Sequence, residues 1–517
     1  MRLIALLGAG DAASGEAASR SEWGCGRSTR GTVLVTAPLD PRSGGLHDVQ
    51  VADGAIVAAD DFEIPCYWTA DQRTVAVGGT VLVAILTILT ITTVHVRVGD
   101  VILPSLHQMA ENATLFYGVL PHLLAVSVGY YAIFAWSCVI ALWLVYLKLI
   151  WHLRGSEIDH RLILTGALTL GIVAVTIPPV FSTDIFSYAM FGRLAAVYHL
   201  NPYVATAHTG APGDLLMPYL YWRDIPSPYG PLWTLVSELI ASGRAATPFV
   251  LTLRFKLVSL AAVLVDGWLV YVLVRRRWPR YASWAYMAFA WNPMVLVEGV
   301  VVGHNDSLIL AVVLASAYLL ARTRSQLAFV GLTASGLVKY STLPVMGIAA
   351  LRLLLRTPLS KRVGLLLRLG LIAVVLPVVT FAPYWTGLHG LMSTLDEPGR
   401  GINNPILVAI RVLIGVVTAG HVQLGAGGTV GISATLFGAW QLWELWSASR
   451  RTETWGIDDE LGAWSLTLAV FLLLWPRIHT WYFLVPLGLS LAAGPARRRV
   501  FWGVLVVTLV SYTSYFW

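Results

Sequence analysis

Charge is scarce in this chain. Only 12% of its 517 residues are Asp, Glu, Lys or Arg, against about 25% in an ordinary soluble domain. Apolar residues make up 57%, and the mean hydropathy is +0.70. A soluble protein of this size cannot hide that much apolar surface. The shortage therefore excludes a soluble enzyme, a disordered chain and a nucleic-acid binder. Cysteine is also rare, with three residues at 25, 66 and 138. They show no metal or redox spacing, and Cys138 sits inside an apolar run, so neither a disulfide framework nor a zinc site is expected. Glycine-rich nucleotide loops and the HExxH pattern are missing, which argues against ATP, NAD and a zinc protease. No repeat of fixed period is visible.

What charge there is lies unevenly. Ten of the 28 acidic residues fall in residues 1–71. Residues 1–72 form a polar, Gly/Ala/Ser/Asp-rich N-terminal extension with no assigned function. Its first residues faintly resemble a signal peptide, but Asp11 cuts the apolar stretch short. It reads as a loosely ordered cytoplasmic tail or as a start placed too early, with room for a little β structure in 31–70. The net charge of +7 thus belongs to the apolar part and suits anionic lipid.

From residue 74 onward, apolar runs near the roughly 20 residues a bilayer demands follow one another. Spans are expected near 74–95, 121–150, 161–182, 248–274, 281–301, 307–322, 364–383, 430–447, 461–475, 480–494 and 500–516. The stretches 231–243 and 405–420 are short and read as re-entrant or interfacial. Residues 326–356 read as a hairpin of two spans broken at Lys339-Tyr340-Ser341. The predicted fold is an all-α, polytopic transmembrane bundle of about 11–14 spans, occupying 73–517.

Loops 148–161, 275–280, 322–324, 352–368, 450–451 and 497–499 hold nineteen basic residues, and the opposite loops hold five. The positive-inside rule makes the first set cytoplasmic. The N-terminus is then inside and Trp517 outside, in a cytoplasmic membrane. Segment 405–420 must return to the side it left, or the count changes by one. Loop 183–229 is then external, long, aromatic and proline-punctuated, as suits an enzyme acting on that face.

Five constellations carry possible chemistry. Ser182-Thr183-Asp184 opens a helix, whose positive end keeps the Asp184 carboxylate ionised as a proton acceptor. Tyr188, one turn on, shares its face. Asp184 is equally readable as part of an N-terminal cap. Trp291-Asn292-Pro293 precedes Glu298 and Gly303-His304-Asn305-Asp306-Ser307. Asn305 or Asp306 suits a helix cap, whereas Glu298, an acid near the end of an apolar span, is a functional candidate. Asp306 is a second candidate base. Lys339 calls for an anion such as a lipid phosphate, or else snorkels to the interface. Arg477 and His479 suit a phosphate clamp, with Trp481 and Tyr482 stacking on a sugar or forming an aromatic belt. Tyr229, in Ser227-Pro228-Tyr229-Gly230-Pro231, suits a sugar platform or a rigid corner. Asp266 is expected to bond a neighbouring helix, and Arg254 and Lys256 are weaker phosphate candidates. No divalent metal and no cofactor is expected.

DIFSYAMFGR and HLNPY (184–193, 199–203), SPYGPLW (227–233), WNPMVLVEGVVVGHNDSL (291–308), GLVKYSTLP (336–344) and IHTWYFLVPL (478–487) occur in that order. Over roughly 74–517 the chain resembles the GT-C superfamily of membrane glycosyltransferases. Within it, it is similar to the polyprenol-phosphate-mannose-dependent alpha-(1->6)-mannosyltransferases of the lipomannan pathway. The resemblance implies a polyprenyl-phosphate sugar donor, a glycan or glycolipid acceptor and inversion on the extracytoplasmic face. It implies that Asp184 is the general base. Lys339, Arg477 and His479 would hold the leaving lipid phosphate, and His304, Asn305 and Asp306 would position donor or acceptor. The sizeable outer C-terminal domain of some relatives is not found. The alternatives are a transporter or flippase for lipid-linked sugars, a ligase, or a structural subunit of an envelope complex.

Overall fold

The computed structural model describes residues 69–98, 124–126, 128–179, 181–244, 246–387, 402–419, 421, 425–450 and 455–513. These belong to one compact unit, Tyr67–Trp517. Nearly all of the N-terminal extension, Cys25, Cys66, Arg400 and Trp517 lie outside the described residues.

The architecture is all-α. In chain order come α1 (Ala70–His95), α2 (Val128–His152), α3 (His160–Thr176), α4 (Asp184–Ala196), α5 (Pro231–Ala241), α6 (Pro248–Arg275) and α7 (Pro279–Ala290). They are followed by α8 (Asp306–Ala321), α9 (Ser325–Val338), α10 (Leu343–Arg356), α11 (Leu359–Phe381) and α12 (Pro405–Val417). The last are α13 (Ala426–Arg450), α14 (Ile457–Leu474), α15 (Leu484–Ala492) and α16 (Arg498–Ser511). A parallel pairing of Val96–Val98 with Leu124–Val126 is the small addition to this pattern. Local chemistry marks several starts. Asp159 accepts a bond from Arg161 N (2.9 Å), and Thr247 accepts one from Val250 N (3.3 Å) just before Pro248. Such oxygens satisfy backbone donors that the helix itself cannot.

Among the described residues, four helices are long and apolar enough to cross a membrane: Ala70–Thr92, Ile133–His152, Pro248–Arg275 and Leu359–Tyr384. A bent pair, Val295–Val301 with Asp306–Ala321, makes a possible fifth. This is fewer than the 11–14 spans expected, because several apolar stretches fold as shorter or interrupted helices. One face of α11 shows what lies outside the bundle. Val363, Leu367, Leu371, Val374 and Val378 recur at helical spacing and are all exposed, an apolar face of the kind that suits hydrocarbon.

Two ends of the bundle are chemically distinct. At one end the basic loops converge. Arg352 forms an ion pair with Glu460 (3.3 Å) and stands over Trp455 (4.2 Å), Arg497 pairs with Asp459 and Arg277 with Asp458, and Arg276 reaches the Ala321 carbonyl. Helices α8, α9, α10 and α14 run from there to the other end, where the turns at 303–306, 339–342 and 475–480 meet.

The two short segments stay at that second end. Helix α12 has 13 residues, about 20 Å at 1.5 Å each. Asn404 caps it and donates to the carbonyls of Leu473 and Trp475. The next helix returns to the same level, where Ser433 donates to the Leu474 carbonyl. Helix α5 packs on α4, and a Cβ at Gly192 would meet the Ser237 carbonyl at 2.2 Å.

Candidate functional site

The site begins with a broken helix. Trp291 is a fully buried wedge whose indole N–H donates to the Ile163 carbonyl (3.1 Å). Gly79 and Gly166 leave room for its ring. Asn292 Oδ1 accepts from Met294 N (2.9 Å) and starts a π-helical turn, Val295–Val301. Gly303 then takes φ +77°, a conformation costly for other residues. The chain turns by 109° into α8. Two half-helices thus meet inside the bundle and leave Glu298, His304, Asn305 and Asp306 at one level. Irregular backbone at such depth survives where protein surrounds it.

The second part is α4, where the Ser182 hydroxyl accepts from Asp184 N (3.2 Å). Asp184 Oδ2 lies 3.8 Å from His304 Nδ1, and the Tyr188 hydroxyl is 3.3 Å from the same nitrogen. On the far side of the ring, Glu298 Oε2 is 3.5 Å from Nε2. Glu298 and His304 are fully buried, whereas the Asp184 side chain keeps 17% of its surface. Tyr188 meets Tyr229 edge-on (5.0 Å) and Trp233 likewise (5.1 Å).

The third part is the turn at 475–480. Trp481 is sandwiched between His304 (4.0 Å, 13°) and His479 (4.4 Å, 8°), and His479 meets Tyr482 edge-on. Lys339 Nζ stands over the Tyr482 ring (4.1 Å) and bonds both Asp306 oxygens at 3.1 Å. Burial, with Lys339 and Arg477 close by, pulls His479 down to about 3, so its imidazole is neutral at pH 7.

An unbroken series of contacts thus joins Asp184, Tyr188, Tyr229, Glu298, His304, Trp481, His479, Tyr482, Lys339 and Asp306. Asn305 is beside them, with both polar side-chain atoms buried and unbonded. Arg477 stands over Trp222 at 5.6 Å, with His479 near enough to feel its charge. Trp222 was not singled out in the sequence, where one aromatic in a rich loop carries no signal. Asp306, read as a second base, engages Lys339. Lys256 donates to the carbonyls of Val175 and Ile177, and Arg254 to those of Ile240 and Ser242, so both terminate helices instead of offering a phosphate site. Among the described residues both Asp266 oxygens are buried without a hydrogen-bond partner, so the inter-helix bond expected of it is not made there. The other acids of loop 183–229 are also committed. Asp214 pairs with buried Arg193 (2.8 Å), and Asp224 with exposed His208 (2.7 Å).

Two neighbouring cavities flank the turn at 339–342. One, of about 310 Å³, is lined by Asp306, Lys339, Tyr340, Trp475 and Tyr482 among others. The second, of about 720 Å³, is an apolar groove between α9, α10 and α11, lined by Leu337, Met346, Pro377 and Phe381 among others. Tyr340 and Leu343 stand in the walls of both. Among the described residues, no three His, Cys, Asp or Glu side chains form a metal-binding group.

Residues 79–355 match the alpha-(1->6)-mannopyranosyltransferase N-terminal domain family, a stretch holding α4, the broken helix and Lys339. The chain belongs to this family. It is 25% identical over 400 residues to a probable alpha-(1->6)-mannopyranosyltransferase of Mycolicibacterium smegmatis, covering 69% of each chain. It is 27% identical over 156 residues to alpha-(1->6)-mannopyranosyltransferase A of Corynebacterium glutamicum, covering 29% of this chain and 31% of the relative. A Mycobacterium tuberculosis relative of the same description is 28% identical over 141 residues, covering 26% of this chain and 23% of its own length. No solved structure matches the chain.

Proposed function

We propose that this protein is an alpha-mannosyltransferase of the extracytoplasmic face. It moves mannose from a polyprenyl-phosphate donor to a hydroxyl of a glycan or glycolipid, with inversion. The observation that carries this reading is the pair of cavities sharing Tyr340 and Leu343. A lipid phosphate needs a charged place for its head and an apolar one for its tail. Lys339 edges the first, and the groove beside α11 supplies the second. The activity named for the relatives supports the choice of mannose. The positive-inside rule favours the cytoplasm for the basic end of the bundle, which supports a site on the outer face.

In this reading Asp184 takes the proton of the acceptor hydroxyl. The freed oxygen forms the new bond to the anomeric carbon, and the bond to phosphate breaks on the opposite face. Its electron pair leaves with the phosphate, where Lys339, the neutral His479 N–H and Arg477 meet the charge. Asp306 keeps Lys339 in place until then. A beta-linked mannosyl phosphate yields an alpha-mannoside. The test offers purified protein either polyprenyl-phosphate mannose or a nucleotide-activated mannose, with an alpha-mannoside acceptor. Transfer from the lipid phosphate alone is expected, and transfer from the nucleotide alone would overturn the donor assignment.

A further inference from the structure

Four side chains surround the His304 ring. Its Nδ1 lies 3.8 Å from Asp184 Oδ2 and 3.3 Å from the Tyr188 hydroxyl. Its Nε2 lies 3.5 Å from Glu298 Oε2. Trp481 stacks on its face at 4.0 Å, and its own N–H donates to the Glu298 carbonyl (3.1 Å). Glu298, the innermost member, is fully buried, behind the imidazole from Asp184. The imidazole stands between that acid and Asp184.

We infer that Glu298 and His304 form a relay behind Asp184, with Glu298 the positioning residue. This rests on the reading of Asp184 as base. Glu298 Oε2 faces Nε2 at 3.5 Å with no hydrogen bond formed between them here; in the relay it draws the Nε2 proton, which makes Nδ1, beside the Tyr188 hydroxyl, the acceptor. Asp184 removes the hydroxyl proton of the acceptor as the new glycosidic bond forms. That proton then passes from Asp184 to Nδ1, and the resulting imidazolium sits between two carboxylates. Asp184 is ionised again and does not return the proton to the departing phosphate. After product leaves, the proton exits through the exposed edge of Asp184. The arrangement is the logic of an oriented base, in which a buried acid holds the imidazole and supports its charge.

The test measures kcat and both KM values for wild type, Asp184→Asn, Glu298→Gln, His304→Asn and the Glu298→Gln/His304→Asn pair. Glu298→Gln keeps the shape and removes the charge. It is expected to lower kcat about 10- to 100-fold with both KM values within about twofold. Added to His304→Asn it should cost nothing more, because a residue acting through another has no effect once that other is gone. A structural role would move stability and leave the two losses additive. Wild-type kcat in Glu298→Gln, or full additivity, would overturn the relay while leaving Asp184 as base. Activity surviving Asp184→Asn would overturn both. Should Glu298→Gln fail to fold, His304→Asn decides alone: a fall in kcat at constant KM supports the relay, and an unchanged kcat overturns it.

Discussion

Asp184 and Asp214 belong to the same loop region, yet their neighbours give them different work. Asp214 accepts from Arg193, from the Tyr198 hydroxyl and from Leu216 N, and so ties the loop down. Asp184 keeps part of its surface at the start of α4, where the helix end favours its charge. His479 shows the same dependence on surroundings. Its imidazole ordinarily titrates near 6.5, but burial between cations holds it down to about 3. Unfolding frees it to take up a proton below about pH 6.5, so its contribution to stability falls as pH drops from 6.5 toward 3. The difference in melting temperature between wild type and His479→Gln should therefore shrink between about pH 7 and pH 5. A constant difference would contradict this. The sequence showed that these residues carried charge at a membrane level. It did not show that Asp306 and Lys339 face each other, or that Lys256 and Arg254 close helix ends, because such pairings depend on helix rotation.

The elements that shape the site are breaks more than helices. The WNP segment, the π turn and Gly303 interrupt what composition alone reads as continuous spans at 281–301 and 307–322. The other decisive corner is SPYGP. Gly230 N donates to the Val338 carbonyl (3.1 Å), and a Cβ there would meet the Leu337 carbonyl at 2.1 Å. The loop carrying Tyr229 is thus seated beside Lys339 by a position that admits glycine alone. Gly230→Val is expected to push this corner away, lowering transfer at least about tenfold while α6 and α11 stay folded. Measured kcat/KM and a thermal melt check it, and an unaltered kcat/KM would contradict it. Motif and spacing identified both corners as special. The 109° turn between the half-helices was beyond their reach, since it follows from tertiary packing around Trp291.

The whole molecule is a bundle with a basic end and a reactive end, joined by α8, α9, α10 and α14. Charge counting in the sequence grouped Arg276, Arg352 and Arg497 together, and their contacts lie at one end of the bundle. Span number was less legible. Hydropathy counts apolar residues but cannot tell a crossing helix from one packed inside protein at the same depth. The orientation has its own test. A cysteine at exposed His208 should react with an impermeant maleimide in intact cells, above the background of the native cysteines. A cysteine at exposed Lys361 should react only after lysis. The opposite pattern would turn the site toward the cytoplasm.

The most direct measurement is transfer of labelled mannose from polyprenyl-phosphate mannose to a short alpha-mannoside, by wild type beside Asp184→Asn in nanodiscs. A positioned base is worth roughly 10²–10⁴-fold. Wild type should make an alpha-linked product, and the variant, folded and inserted as wild type is, should lose at least about a hundredfold in kcat. Equal transfer by both would contradict the assignment of Asp184 as the base on which the account depends.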